Sequence, residues 1–288
     1  MEAAEQLQRE DANRRIAVPA AVLGAVLPLG GAVLSAVRLG DAPANSPGRL
    51  LYIDDHASEL VLTAVILGLG AIAIGVALRH LFAATRFRRP EVPRVALVCL
   101  LIGPLLYLVG QVASQVILSA QAADFAATGS QTYEEARSVL EDGVLTGVAT
   151  AVVAGQLALG FAFVMISLNA MRVGLLTRFM GVLGVIVGLL TVIPIGGPLP
   201  VVQTFWLLAM AVLFAGRWPQ GTPPAWSTGR AEPWPSQQEL REERERGGAG
   251  RERGGLPASE PAAEVAAPGP EARIAHPASK KRKRKKRR

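Results

Sequence analysis

The side chains with the most chemical capacity in this chain are a few amides set among apolar residues. Tyr107, Gln111 and Gln115 fall at i, i+4 and i+8, with Ser119 one turn further, so a helix would carry all four on one face. Gln156 and Gln203 stand singly in two later apolar runs. Converging amides and a phenol would form a polar cavity for a small neutral or weakly polar ligand. The same groups could instead bond to neighbouring helices, where a pair contributes about 0.6–2 kcal/mol in a membrane. Interhelical bonding is the favoured expectation, with the ligand cavity as its alternative. Asp54, Asp55, His56 and Glu59 are also metal-capable. Coordination needs ligands that converge in space, which adjacency does not supply, so neither metal nor cofactor is assigned.

Other apparent motifs fail on location. Gly68-Leu69-Gly70-Ala71-Ile72-Ala73 approximates a dinucleotide fingerprint but lies inside an apolar run rather than after a strand. Glu134-Glu135-Ala136-Arg137 approximates the glutamate pair of intramembrane CAAX-type proteases, yet the arginine follows too soon and no histidine in a span supports it. Phosphate loops, paired CxxC motifs and nucleophile elbows are absent from the sequence. The lone Cys99 rules out an intrachain disulfide. Catalytic residues are therefore not assigned, and a non-enzymatic protein is expected. Acidic and basic residues deep within a span mark proton relays; none is expected here, which argues against a proton-coupled pump.

The elements that must position these groups are six apolar runs, at 16–38, 60–80, 95–120, 144–170, 179–195 and 199–216. A helix needs about 20 apolar residues to cross roughly 30 Å of hydrocarbon. With half the chain hydrophobic, the expectation is an all-α integral membrane bundle of six transmembrane helices over residues 1–216. Charge alternates loop by loop. Arg9, Arg14, Arg15, Arg79, Arg86, Arg88, Arg89, Arg94, Arg172 and Arg178 would share one side, against Arg38, Arg49 and Arg137 on the other. The arginine-rich side stays cytoplasmic, which puts both termini inside the cell membrane. Arg14-Arg15, the first apolar run and Ala42-Pro43-Ala44 also approximate a cleaved signal. Its apolar run is too long and Pro43 disfavours cleavage, so an uncleaved helix is expected.

Small residues predict where helices touch. Gly143, Gly147, Ala151 and Gly155 recur every four residues, and Gly181, Gly184 and Gly188 form a second stripe. Such stripes admit a neighbouring backbone, either of the same chain or of a second protomer in a homo-oligomer. Pro19, Pro28 and Pro104 predict bends, and Gly196-Gly197-Pro198-Leu199-Pro200 a tight turn. Thr132 and Glu135 have capping-box spacing, so a short helix should precede the fourth run, with Gly143 closing it.

From Arg217 the composition turns to Pro, Gly, Ala, Glu and Arg, and residues 217–288 read as a disordered cytoplasmic tail. Trp218, Trp226 and Trp234 recur every eight residues, a pattern suited to the bilayer interface; residues 237–246 are the one stretch there expected to form a brief helix. The chain ends on Lys280, Lys281, Arg282, Lys283, Arg284, Lys285, Lys286, Arg287 and Arg288. These nine charges account for the net basicity, since the remainder is slightly acidic. Anionic inner-leaflet lipid, at about 1 kcal/mol per basic residue near the surface, is the first expected partner. A tail without a partner comes second, and nucleic acid or the ribosome third. The bundle and this tail together suggest a scaffold or interaction protein, with a small-solute transporter or ligand-binding protein as the alternative.

One resemblance bears on the C-terminal half. Ser167-Leu-Asn-Ala-Met-Arg-Val-Gly-Leu-Leu-Thr-Arg178, followed by Gly181 and Gly184, is similar to a recurring feature of actinobacterial polytopic membrane proteins of a domain-of-unknown-function type. Pro223-Pro-Ala-Trp226 and Pro233-Trp-Pro235 resemble the same group. The resemblance implies six helices in an actinobacterial inner membrane and names no substrate.

Overall fold

A computed structural model describes residues 3–193, 200–219 and 221–234. Described residues form helices and no strands. Four helices are long and apolar enough to cross a membrane: α1 (Ala3–Arg38), α3 (Ala57–Arg88), α4 (Arg94–Ala127) and α6 (Gly143–Arg172). Two further apolar helices, α7 (Arg178–Val192) and α8 (Val201–Phe214), are shorter. At 1.5 Å per residue they measure about 22 and 21 Å, less than the hydrocarbon thickness. The expected runs 179–195 and 199–216 thus exceed the helices they contain. The turn between them, 194–199, lies outside the described residues.

The six helices close into a ring in which each is antiparallel to the next. Pro28 of α1 packs on Gly70 of α3, and Pro104 of α4 on Gly75 of α3. Gly103 of α4 meets Gly155 and Leu159 of α6, while Gly160 of α6 meets Gly188 of α7. Trp206 of α8 donates its indole N–H to Met180 O of α7 at 2.9 Å. Thr204 of α8 then donates to Ala25 O of α1 at 3.3 Å, closing the circle. Across the middle, α3 touches α6. Both helices with interior prolines, α1 and α4, continue through them, with Pro28 and Pro104 seated against glycines.

The glycine stripes divide by location. At Gly155 a Cβ would stand 2.7 Å from Tyr107 N, at Gly181 2.6 Å from Met171, and at Gly188 2.8 Å from Gly160 O. Gly184 abuts Ser167 and Trp206. Gly143 and Gly147 have nothing within 4 Å at that position. Backbones therefore approach closely along α6–α7 and α4–α6, but not around the first turns of α6.

Antiparallel order collects charge at two ends. The acidic end carries two short helices, α2 (Ser46–Asp55) and α5 (Tyr133–Leu140). Leu50, Ile53, Ala122, Phe125 and Ala136 bury together there, holding α2 and α5 on the end of α4. Asn45 caps α2, accepting from Gly48 N at 2.6 Å, and Pro47 sits where a helix start tolerates it. Thr132 caps α5, accepting from Glu135 N at 3.3 Å. The Glu135 carboxylate accepts from Gln131 N rather than from Thr132 N, so the expected capping box forms only by half. Gly143 does not close α5: it is the first residue of α6, whose cap is Asp142.

The compact unit extends to Trp234, eighteen residues past the boundary expected at 216. After α8 the chain runs back over the arginine-rich end through α9 (Pro224–Thr228). Residues 221–234 are called the strap below. Residues 237–246 and the basic run 280–288 lie outside the described residues.

Candidate functional site

All six apolar helices contribute to one cavity of about 690 Å³ toward the acidic end. Its apolar wall includes Pro28, Leu67, Ile74 and Leu159. Polar side chains reach it from every direction: Ser35 of α1, Thr63 of α3, Tyr107 of α4, Gln156 of α6, Thr191 of α7 and Gln203 of α8, with Asp41 beyond α1. Three residues expected from sequence, Tyr107, Gln156 and Gln203, are brought together. Gln111 and Gln115 are half-buried on α4 and do not line the cavity. The i, i+4, i+8 register is real, but α4 runs past the cavity, and only its Tyr107 level meets the opening.

Interhelical hydrogen bonding, the favoured use of the amides, falls to other side chains. Side-chain bonds between helices come instead from Thr204, Trp206 and Arg88, and Trp226 bonds the link between α6 and α7. Among the described residues, no bond joins Gln111, Gln115, Gln156 or Gln203 to a neighbouring helix. Gln156 and Gln203, which have no side-chain bond among the described residues, thus face a space large enough for a ligand. Asp54, Asp55, His56 and Glu59 do not assemble: among the described residues no three His, Cys, Asp or Glu side chains stand together as metal ligands.

A second polar cluster lies at the arginine-rich end. Arg88 was expected in a loop; it occupies the last turn of α3 with its side chain 0% exposed. Its guanidinium forks onto Glu10 of α1, Nη1 to Oε1 at 2.7 Å and Nη2 to Oε2 at 3.1 Å. The remaining N–H groups reach Ala225 O at 3.0 and 2.7 Å and Ala84 O at 2.9 Å. A bidentate pair with every donor occupied is the arrangement in which a buried ion pair holds together. Glu10 also accepts from Gln6 at 2.9 Å.

Trp226 of the strap completes this cluster, and its place departs from the expected interfacial one. It is buried, donates to Leu175 O at 2.9 Å, and stacks on His80 with ring centres 5.7 Å apart. The Arg88 guanidinium lies 5.7 Å from its ring centre, within reach of a cation–π contact. His80 is buried beside Phe214, and its Nε2 has no partner among the described residues. Ionisable residues do therefore enter the packed bundle, at one end, because α1 and α3 continue beyond the apolar runs that the sequence delimits.

The strap also joins the two segments that carry the sequence resemblance. Glu232 N donates to Val173 O at 3.1 Å, and Gly174, at φ +80°, lies against Glu232 O with no room for a Cβ. Residues 167–178 and 223–234 thus form one contact surface. The described residues define an all-helical unit with membrane-length helices around a polar-lined cavity, and an ion pair and a tryptophan are buried at the opposite end. No protein-family model, curated protein or solved structure matches the chain.

Proposed function

We propose that this chain is a six-span protein of a bacterial cell membrane, with both termini cytoplasmic, that binds a small, weakly polar organic ligand entering from outside. The observation that carries this reading is the convergence of Tyr107, Gln156 and Gln203, from three helices, on a cavity of about 690 Å³. In hydrocarbon an unpaired polar group costs several kcal/mol. Polar groups around an open space are accounted for by water or ligand there. The bias of arginines to the opposite end supports a mouth on the outer side, and the antiparallel return of α7 and α8 supports two further crossings. Binding, with or without transport, replaces scaffolding as the leading activity.

The test is thermal stability in detergent against a panel of small amides, alcohols and amines. Stabilising compounds should lose their effect when Tyr107→Phe, Gln156→Leu and Gln203→Leu are combined, and keep it in Gln111→Leu/Gln115→Leu. A stabilising effect that depended on Gln111 and Gln115 instead would contradict the assignment.

The basic tail supports a second reading. Lys280–Arg288 is a run of nine consecutive basic residues, a composition that suits anionic inner-leaflet lipid. Deleting the nine residues should abolish salt-sensitive binding to anionic vesicles; salt-sensitive RNA binding lost instead would favour nucleic acid.

A further inference from the structure

The cavity has a charge character that its amides do not set. Among the described residues, Asp41 is the single carboxylate lining it, and no Lys, Arg or His lines it. Asp41 takes part in no ion pair among the described residues, where Arg137 at the same end is paired with Glu141. That end carries nine carboxylates (Asp41, Asp54, Asp55, Glu59, Asp124, Glu134, Glu135, Glu141, Asp142) against Arg38, Arg49 and Arg137. A one-signed rim around a low-dielectric recess concentrates the opposite ion.

The hydroxyls add oxygen acceptors to the wall. Several helical threonines return their proton to the carbonyl one turn back: Thr85 to Leu81 O at 2.7 Å, Thr150 to Thr146 O and Thr191 to Val187 O at 2.8 Å. Thr191, in the cavity wall, has thereby committed its proton and offers only lone pairs. Thr63 departs from the pattern. It is 9% exposed and lines the cavity, and its Oγ1 has no partner among the described residues. An anion entering here would meet only neutral amide and hydroxyl donors, with the Asp41 carboxylate repelling it. A cation would find a carboxylate, hydroxyl lone pairs and the Tyr107 ring.

We infer that the ligand of this cavity is an organic cation, its ammonium head beside Asp41 and its apolar body among Pro28, Leu67, Ile74 and Leu159. The inference rests on the ligand-binding reading above and adds the charge class. Sterically matched probes separate the two: benzyltrimethylammonium, neutral N,N-dimethylbenzamide and anionic benzenesulfonate, titrated calorimetrically into the full chain in a neutral detergent, with empty micelles subtracted. Benzyltrimethylammonium should bind most tightly and weaken as salt rises. Asp41→Asn, an isosteric change at an exposed position, should weaken it about two- to fivefold and leave the benzamide unchanged, with the thermal midpoint of the unliganded protein unmoved. Equal binding of cation and benzamide, both lost in Gln156→Leu and neither altered by Asp41→Asn, would overturn the cation and leave the cavity standing. Absence of binding by all three probes would overturn this inference, while the broader panel above continues to test the cavity. Preferential binding of benzenesulfonate would also overturn it.

Discussion

Glu10→Gln should be among the most damaging near-isosteric changes in this chain. The substitution removes the carboxylate bonded to Arg88, whose side chain is 0% exposed. Breaking one partner of a buried pair costs about 3–5 kcal/mol, because the surviving charge is left uncompensated. Here the guanidinium keeps its bonds to Ala225 O and Ala84 O, and a glutamine oxygen can still accept one of the two lost. The lower part of that range, about 3 kcal/mol, is expected. At about 2–4 °C per kcal/mol for a unit of this size, the thermal midpoint in detergent should fall by on the order of 10 °C. The strap should loosen first, since Arg88 grips Ala225, and trypsin should then cut at Arg230. Combining Glu10→Gln with Arg88→Met removes both charges and should recover much of the loss. A midpoint within about 1 °C of the parent, with Arg230 still protected, would refute the reasoning.

Two further outcomes follow from backbone proximity. Gly174→Ala demands a Cβ where Glu232 O lies and a left-handed backbone besides, so it should cost about 1–3 kcal/mol and again release the strap to trypsin. Gly188→Val should cost about 1–3 kcal/mol by overpacking against Gly160, whereas Gly147→Val, with nothing within 4 Å, should leave the midpoint unchanged; equal effects would contradict the packing described.

Much of the fold was legible because a bilayer demands long apolar helices, and α1, α3, α4 and α6 were each found within a few residues at one end or both. The ends were harder. Apolar run length marks where hydrocarbon stops, not where hydrogen bonding stops, so α3 continues eight residues beyond the run 60–80 and carries Arg88 into packed structure. Glu10 and Arg88 are 78 residues apart, and each alone reads as a cytoplasmic surface charge. Trp226 has the composition of an interfacial residue; only the Leu175 carbonyl and His80 ring in three dimensions show that it is buried. For α2 a signal was present in Asn45 and Pro47, a cap followed by a helix-starting proline. Of the site, Tyr107, Gln156 and Gln203 could be found as polar groups in apolar runs. Asp41, Thr63 and Thr191 could not, since a polar residue near a helix end, or a lone threonine within a span, is unremarkable until its neighbours are known.

Accessibility of Gln156 tests the central claim most directly. Cys99 is the single cysteine, so Cys99→Ser with Gln156→Cys gives one thiol on the cavity wall. In intact cells a small, membrane-impermeant cationic methanethiosulfonate should modify that thiol from outside, and benzyltrimethylammonium should slow the reaction. Modification from the cytoplasmic face alone, in inverted vesicles, or none from either face, would contradict the account.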